Sequence, residues 1–194
     1  MRYASIDPCE MCNGNNIGLS VFVQGCPFRC EGCFNRQAWD FSGGYEWTNQ
    51  TESQFIKLLT KPYIQRLSIL GGEPLADQNL PLTQRLIQLA RHIAPQKKIW
   101  TYTGYMVEEI IAPNNIVLNG VKPNLTPQEA ERLKNDALRY NIFLGCDYLV
   151  DGRFEIEHMD LTYSRVKFAG STNQRIIDVH KSVQSKQVIL WDEA

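Results

Sequence analysis

Short apolar segments recur along the chain, and several of them run directly into a glycine-containing turn. Their β-branched and aromatic side chains are typical of buried strands. On this pattern, strands are predicted at residues 19–23, 66–70, 98–102, 143–150, 165–169 and 187–190. Glycines follow the first three segments, at Gly25, Gly71 and Gly104, and they predict a change of chain direction at each point.

Apolar residues at helical spacing separate these strands. Thr51 and Gln54 form a capping-box pattern, which predicts that a helix begins there. Residues 82–93 carry the spacing of a second helix. Residues 106–111 predict a short third helix that ends just before Pro113, because the residue ahead of a proline disfavours helical geometry.

A fourth helix has the clearest start signal in the chain. Thr126 supplies an N-cap, Pro127 a first-turn proline and Glu129 the acid of a capping box. The preceding residues 114–124 are predicted to be a surface excursion.

Alternation of strands and helices predicts an α/β fold with a mainly parallel sheet. In such sheets, the loops that leave the carboxyl ends of the strands meet along the edge where ligands bind. The 194 residues fit one domain, residues 1–194, with enough chain to bury a core.

Composition and charge exclude several classes of function. A hydrophobic content of 43% and a charged content of 21% are ordinary for a globular protein. A net charge of −1 gives no basic field for nucleic acid or an anionic membrane, so neither is predicted as a partner. No membrane-spanning run and no secretory signal is found, which predicts a cytoplasmic location.

Cysteine is concentrated at the start of the chain, where five of the six cysteines lie within the first 33 residues. In a reducing compartment, such clustering indicates a metal site. Cys26, Cys30 and Cys33 stand in the spacing C-x3-C-x2-C directly after the first predicted strand. Iron-sulfur clusters normally take four thiolates, so three would leave one iron open for chemistry.

A structural zinc site is the alternative to a catalytic cluster. Cys9 and Cys12 form a C-x2-C pair that, together with the later cysteines, can supply the four thiolates of a zinc ribbon. Without such a site, Cys9 and Cys12 would be inert or redox-sensitive thiols. Cys146 lies in an apolar segment and is predicted to belong to the core.

The cysteine motif and the GGEP turn after the second predicted strand together resemble radical S-adenosylmethionine enzymes. Longer stretches resemble the anaerobic ribonucleotide reductase activating proteins, in order from the first strand to about residue 178: GCPFRCEGCFNRQAWDFSGG, SILGGEPL, IWTYTGY, YLVDGRF and GSTNQRIID. This resemblance implies a partial (β/α) barrel of the radical S-adenosylmethionine type. It also implies a [4Fe-4S] cluster, held by Cys26, Cys30 and Cys33, whose open iron chelates the methionine moiety.

The resemblance implies further contacts with S-adenosylmethionine. Gly71, Gly72 and Glu73 would form the turn that receives the methionine amino group, since glycine lets a ligand approach the backbone. The carboxylate of Glu73 would either accept a hydrogen bond from that ammonium or cap the following helix.

Four more residues are cofactor candidates on the same grounds. Gly32, Cys33 and Phe34 would line the cofactor, with Phe34 against the adenine. Thr103 would bond the ribose or carboxylate, or serve only as a turn residue. Asp151 and Asn173 are weaker candidates in ordinary turn sequences and are left out of the site.

The implied reaction is the reductive cleavage of S-adenosylmethionine, which generates a glycyl radical on the large subunit of anaerobic ribonucleoside-triphosphate reductase. An electron donor such as flavodoxin is implied as well. Two alternatives stay open: an activase of another glycyl-radical enzyme such as pyruvate formate-lyase, or a zinc-binding interaction module without catalysis. Activases of the former kind have His where this chain has Phe34 and lack IWTYTGY and GSTNQ.

Overall fold

The strands of the protein form one sheet in a computed structural model that describes residues 1–118, 125–159 and 168–192. Over these residues the sheet has seven strands, in the spatial order β3-β1-β2-β4-β5-β6-β7. The strands are β1 Arg2–Glu10, β2 Gly18–Val23, β3 Tyr45–Glu46, β4 Arg66–Gly71, β5 Lys98–Tyr102, β6 Tyr148–Asp151 and β7 Arg175–Asp178. The same residues form five α-helices: α1 Asn49–Leu59, α2 Leu80–Ile93, α3 Val107–Leu118, α4 Pro127–Gly145 and α5 Val179–Ser185.

The centre of the sheet is parallel and its flanks are antiparallel. Strands β2, β4, β5 and β6 pair in parallel. On the flanks, β1 runs antiparallel to β2 and β3, and β7 antiparallel to β6. The predicted α/β class and the parallel arrangement of the central strands are confirmed. The sequence pattern missed β1, β3 and β7, which lack the continuous apolar runs of strands buried on both faces.

The two faces of the sheet bury different clusters. Apolar side chains of the central strands, such as Val21, Ile69 and Ile99, form the main core with the helices. Because successive strand residues point to opposite faces, Trp100 lies on the other face, within an aromatic cluster that includes Trp191. None of the described helices has the length and apolar character needed to cross a membrane.

Two helix boundaries differ from the prediction. Helix α1 starts earlier than Thr51: its N-cap is Thr48, whose side chain accepts a hydrogen bond from the Thr51 N–H at 3.2 Å. The predicted capping box of Thr51 and Gln54 is therefore wrong. Helix α3 continues past Pro113 to Leu118, so the predicted end just before the proline is wrong. The first part of the predicted excursion over residues 114–124 is thus helical, and residues 119–124 lie outside the described residues.

The strand predictions in the second half of the chain need correction as well. Residues 143–145 belong to α4, and β6 begins only at Tyr148, since a short apolar run does not distinguish a strand from a buried helix end. Residues 165–167 lie outside the described residues, and Phe168 and Ala169 are not in a strand. Residues 187–190 form only one isolated bridge, between Leu190 and Ile177.

The predicted start of α4 is confirmed in detail. Thr126 accepts a hydrogen bond from the Glu129 N–H, and the Glu129 side chain accepts one from the Thr126 N–H. Reciprocal bonds of this kind satisfy two helix-end donors at once, which fixes the first turn of the helix.

Candidate functional site

The loop that carries the clustered cysteines and the glycine turn after β4 lie side by side at the carboxyl edge of the sheet. Val23 at the end of β2 is opposite Gly71 at the end of β4. Beyond these residues, the Gly72 N–H donates to the Val23 carbonyl and the Glu73 N–H to the Gly25 carbonyl, each at 2.8 Å. The two turns therefore continue the pairing of their strands.

The glycines are required because the two turns touch through their backbones. A Cβ on Gly72 would lie 2.4 Å from the Gly25 carbonyl oxygen. Gly71 has φ +104°, and a Cβ there would lie 2.7 Å from the Cα of Phe22. The glycine pair thus presses its turn against the cysteine loop, which is a packing reason for glycine in addition to the expected approach of a ligand.

The cysteine loop brings together Cys26, Cys30 and Cys33, three free and half-buried thiols. Within the loop, the Cys33 N–H donates to the Cys30 carbonyl at 3.3 Å. The backbone turns at Gly32, with φ +72°, and the Asn35 N–H donates to Cys33 Sγ at 3.4 Å. A short loop with partly exposed sulfurs and inward N–H donors suits the thiolate ligands of an iron-sulfur cluster.

Backbone donors also point at the other two sulfurs. Burial raises the pKa of the Cys26 thiol, and N–H groups of Phe28 and Arg29 oppose that rise. Burial likewise raises the pKa of Cys30, opposed by the N–H of Phe154. These donors stabilise sulfur in its negatively charged form, which is the form that binds a metal.

The structure separates the Cys9 and Cys12 pair from this loop. Glu10, between the two cysteines, pairs with Gly18 at the first position of β2, whereas the cysteine loop leaves β2 after Val23. The two ends of this six-residue strand are about 16 Å apart. A zinc ribbon that combines both groups of cysteines is therefore not formed.

Among the described residues, no group of three or more His, Cys, Asp and Glu side chains converges as a single-ion site. Convergence of that kind is what a single tetrahedral ion requires. A [4Fe-4S] cluster takes one thiolate at each iron, so its ligand sulfurs are spread further apart than the donors around one tetrahedral ion.

Glu73 joins the turn after β4 to the turn after β5. Its Oε1 accepts hydrogen bonds from the Leu75 N–H at 2.8 Å and the Thr103 hydroxyl at 2.7 Å, and its Oε2 accepts one from the Gly104 N–H at 2.7 Å. The expectation that Glu73 caps the following helix is wrong, because α2 begins at Leu80 after the N-cap residue Asn79.

The environment of this carboxyl group is unusual for a glutamate. The side chain is buried, and burial raises its pKa to about 7, although the bonds from Gly104, Thr103 and Leu75 oppose the rise. Three donors leave little accepting capacity on the carboxylate for a ligand ammonium. The donating capacity of the Thr103 hydroxyl is also used, on Glu73, while the same oxygen accepts from the Tyr105 N–H at 3.1 Å.

The remaining cofactor candidates, Gly32 and Phe34, contact the segment that follows β6. Phe34 is 65% exposed, and its ring centroid lies 5.2 Å from that of Phe154 in an edge-on contact. A Cβ on Gly32 would lie 2.6 Å from the Cδ1 atom of Ile156. The segment after β6 therefore packs on the cysteine loop.

Arg153, in this segment, is a site residue that the sequence reasoning missed. Its guanidinium carbon lies 4.4 Å from the centroid of the Phe28 ring, and its charge acts to lower the pKa of Cys30. The only local signal was its place in the YLVDGRF stretch. Asn173 supports this segment by donating to the Arg153 carbonyl at 2.9 Å.

Asp151 has a structural role beside the site. The buried carboxylate accepts a hydrogen bond from the Val107 N–H at 2.8 Å and pairs with Arg175. These contacts fix the start of α3 to strand β7. Cys146 is buried as predicted, and its sulfur contacts the Thr101 hydroxyl at 3.0 Å.

Comparisons with known proteins show what this chain is similar to. A family model described as a 4Fe-4S single cluster domain matches residues 12–177. An anaerobic ribonucleoside-triphosphate reductase-activating protein of Pasteurella multocida (strain Pm70) is 30% identical over 178 residues, which cover 91% of this chain and 96% of that protein. The protein of the same name from Escherichia coli (strain K12) is 33% identical over 140 residues, 71% of this chain and 91% of that one. That of Enterobacteria phage T4 is 39% identical over 110 residues, 57% and 70% of the two chains.

Proposed function

Because the chain belongs to the family of anaerobic ribonucleoside-triphosphate reductase-activating proteins, we propose that it activates such a reductase by generating a glycyl radical on the large subunit. One observation carries this proposal. Three half-buried thiols share a single loop at the carboxyl edge of the sheet, and the Gly71 and Gly72 turn packs directly against that loop. An arrangement of this kind suits a catalytic cluster better than a structural metal ion.

The proposed cofactors are a [4Fe-4S] cluster, held by Cys26, Cys30 and Cys33, and S-adenosylmethionine. When bound, the cluster would supply the electron for reductive cleavage of S-adenosylmethionine, and this cleavage would supply the oxidising power that removes a hydrogen atom from a glycine of the reductase. The chain's own residues bind, orient and shield these groups.

Each of these residues has a role that its position supports. Gly71 and Gly72 offer bare backbone beside the cluster loop, where the methionine amino group would bind. Glu73 and Thr103 hold that backbone in place through the bonds between the two turns. Gly32 and the exposed ring of Phe34 would line the adenosine.

Family membership also supports proposals about the domain, the barrel and the electron donor. We take residues 1–194 as one radical S-adenosylmethionine domain, with the seven-stranded sheet as a partial (β/α) barrel. Its exposed loop edge would admit the glycine-bearing segment of the reductase. The electron would come from a low-potential donor such as flavodoxin, and a cytoplasmic location stays a prediction.

Anaerobic reconstitution tests this proposal. The protein is loaded with iron and sulfide, reduced and mixed with S-adenosylmethionine, and 5′-deoxyadenosine is measured with and without reductase. The parent protein is expected to form 5′-deoxyadenosine and, with reductase, a glycyl radical signal in electron paramagnetic resonance. Cys30→Ala is expected to lose both, since two thiolates would remain for the cluster.

Cys12→Ala is the matched control, because Cys12 is an exposed free thiol outside the loop. It is expected to retain the cluster absorbance and the activity of the parent. Tightly bound stoichiometric zinc in the parent, without a visible chromophore or 5′-deoxyadenosine, would contradict the proposal and favour a zinc module. Formation of 5′-deoxyadenosine without a radical on the reductase would indicate a different glycyl-radical partner.

A further inference from the structure

A polar groove with a volume of about 630 Å³ lies between α3, α4 and the loop that follows Glu73. Asp77 contributes from that loop, Tyr105 from the turn after β5, and Glu109 from α3. The first four turns of α4 form the rest of the wall. The groove thus adjoins the two turns that Glu73 joins, on the outer side of the candidate site.

Asn135 of α4 lines this groove with an unused amide. The residue is 9% exposed, and its side chain makes no hydrogen bond with any residue that the structure describes. The amide atoms remain accessible from the groove, where a ligand can bond to them without breaking a hydrogen bond within the described residues. A ligand in the groove would therefore meet a side chain that can both donate and accept a hydrogen bond.

Arg139, one turn further along α4, connects the groove to the candidate site. Its Nε donates to the Leu75 carbonyl at 3.0 Å, and its guanidinium pairs with Asp77 and Asp136. Since the Leu75 N–H is itself bonded to Glu73, the groove is tied to the site through a short chain of contacts. A ligand in the groove would be positioned beside the glycine turn.

The charges along the groove define the ligand's chemistry. Four carboxylates and two guanidinium groups line it: Asp77, Glu109, Glu131, Asp136, Arg132 and Arg139. Glu131 is exposed, and among the described residues its one ion pair is with Lys134, also exposed, at 3.3 Å. This excess of negative charge disfavours a nucleotide or another phosphate compound and favours a cationic group.

We propose that the groove binds a segment of the reductase that carries a lysine or arginine, with the Asn135 carboxamide bonded to the segment's backbone. A side-chain amide presents a donor and an acceptor together, which matches the N–H and C=O of a peptide. This inference rests on the proposed function, because it assigns a second contact surface to the same protein partner. It also gives α4 a role in recognition.

Affinity for the reductase tests the inference, measured anaerobically with the reconstituted protein. Asn135→Leu keeps the size of the side chain and removes the amide, and it is expected to raise the Kd for reductase about tenfold. Glu131→Lys is expected to raise the Kd as well and to reduce its dependence on salt. Both variants are expected to cleave S-adenosylmethionine as the parent does when reductase is absent. Their activation of reductase, expressed relative to that cleavage, is expected to fall.

Two controls match these variants. Asn141→Leu changes an exposed asparagine of the same helix outside the groove, and Glu46→Lys reverses an exposed charge on β3. Both are expected to bind reductase as the parent does. The Tm of Asn135→Leu is expected to equal or exceed that of the parent, because the amide has no partner within the fold.

The outcomes separate the inference from the function on which it rests. A parent protein that neither cleaves S-adenosylmethionine nor activates reductase would overturn the proposed function. An active parent whose Asn135→Leu and Glu131→Lys variants bind reductase unchanged would overturn the groove alone. A lower Tm for Asn135→Leu would also overturn it, since the amide would then serve the fold.

Discussion

Two glutamates at opposite ends of the central strands are held in contrasting ways. Glu10, at the amino end, contacts Arg66 Nη1 at 2.7 Å and the Ser20 hydroxyl at 2.6 Å. Burial alone would raise the pKa of Glu10, but these bonds outweigh it and hold the pKa below its usual value. Glu73, at the carboxyl end, accepts hydrogen bonds only from neutral donors among the described residues, and burial raises its pKa to about 7.

The same contrast extends to other buried charges. Asp147, also at the amino end, is bonded to Arg91, Lys98 and the Ile99 N–H, and its pKa is lowered although burial opposes this. At the amino end of the strands, the negative charge of each of these two carboxylates is thus balanced by a cationic side chain. At Glu73 the charge is balanced mainly by dipoles, which leaves this buried group able to change its protonation near neutral pH.

Removal of Arg66 should give the largest loss of stability. Arg66→Met leaves Glu10 buried without its cation, and we expect the free energy of unfolding to fall by about 3–5 kcal/mol. Urea denaturation of the metal-free protein measures this. Arg85→Met is the control, because Arg85 pairs with Glu52 at the surface, where about 1 kcal/mol or less is expected. Equal losses of unfolding free energy in the two variants would show that the Arg66 and Glu10 pair does not stabilise the amino end of the sheet.

A methyl group at the glycine turn should reduce activity at the carboxyl end of the sheet, and its effect on stability should be smaller than that of Arg66→Met. In Gly72→Ala, the Cβ strikes the Gly25 carbonyl, a backbone atom, so the turn must move away from the cysteine loop. We expect 5′-deoxyadenosine formation to fall about 100-fold. Gly170→Ala is the milder control, since its Cβ would meet a side-chain atom of Phe154 at 3.0 Å. Activity of Gly72→Ala within threefold of the parent would contradict this packing.

The protonation of Glu73 should make stability depend on pH. Because burial raises the pKa of the folded state to about 7, the folded protein binds a proton more tightly than the unfolded chain. The free energy of unfolding should therefore decrease as pH rises from about 5 to 8, by about 2.5 kcal/mol from this group. The slope is measured by urea denaturation of metal-free protein, as the difference between the parent and Glu73→Gln. Parallel curves would show that Glu73 is ionised throughout.

The smallest effect is expected at Lys98. Its amine is 3.0 Å from Asp147, and its side chain is 52% exposed. Asp147 keeps Arg91 and the Ile99 N–H when Lys98 is lost, so Lys98→Met should reduce the free energy of unfolding by less than about 1 kcal/mol. Thermal and urea unfolding measure this. A loss as large as that of Arg66→Met would mean that the charges at this end act as one network.

Local signals were enough for much of the site and for part of the fold. The spacing of Cys26, Cys30 and Cys33 predicted one compact loop, and the Thr126 and Glu129 pattern predicted the start of α4, because these features depend on residues a few positions apart. The central strands were found for the same reason. The GGEP turn after the second predicted strand likewise predicted that the backbone needs glycine at positions 71 and 72.

Only the tertiary structure decided what those local features contact. Glu73 finds its partners 30 and 31 residues further along the chain, at Thr103 and Gly104, and no local pattern encodes that pairing. The antiparallel register of β1 and β2 sends Cys9 and Cys12 to the far end of the sheet. Short-range spacing and capping act within one element, whereas strand order and burial decide which elements meet, and a group's charge depends on the elements that meet around it.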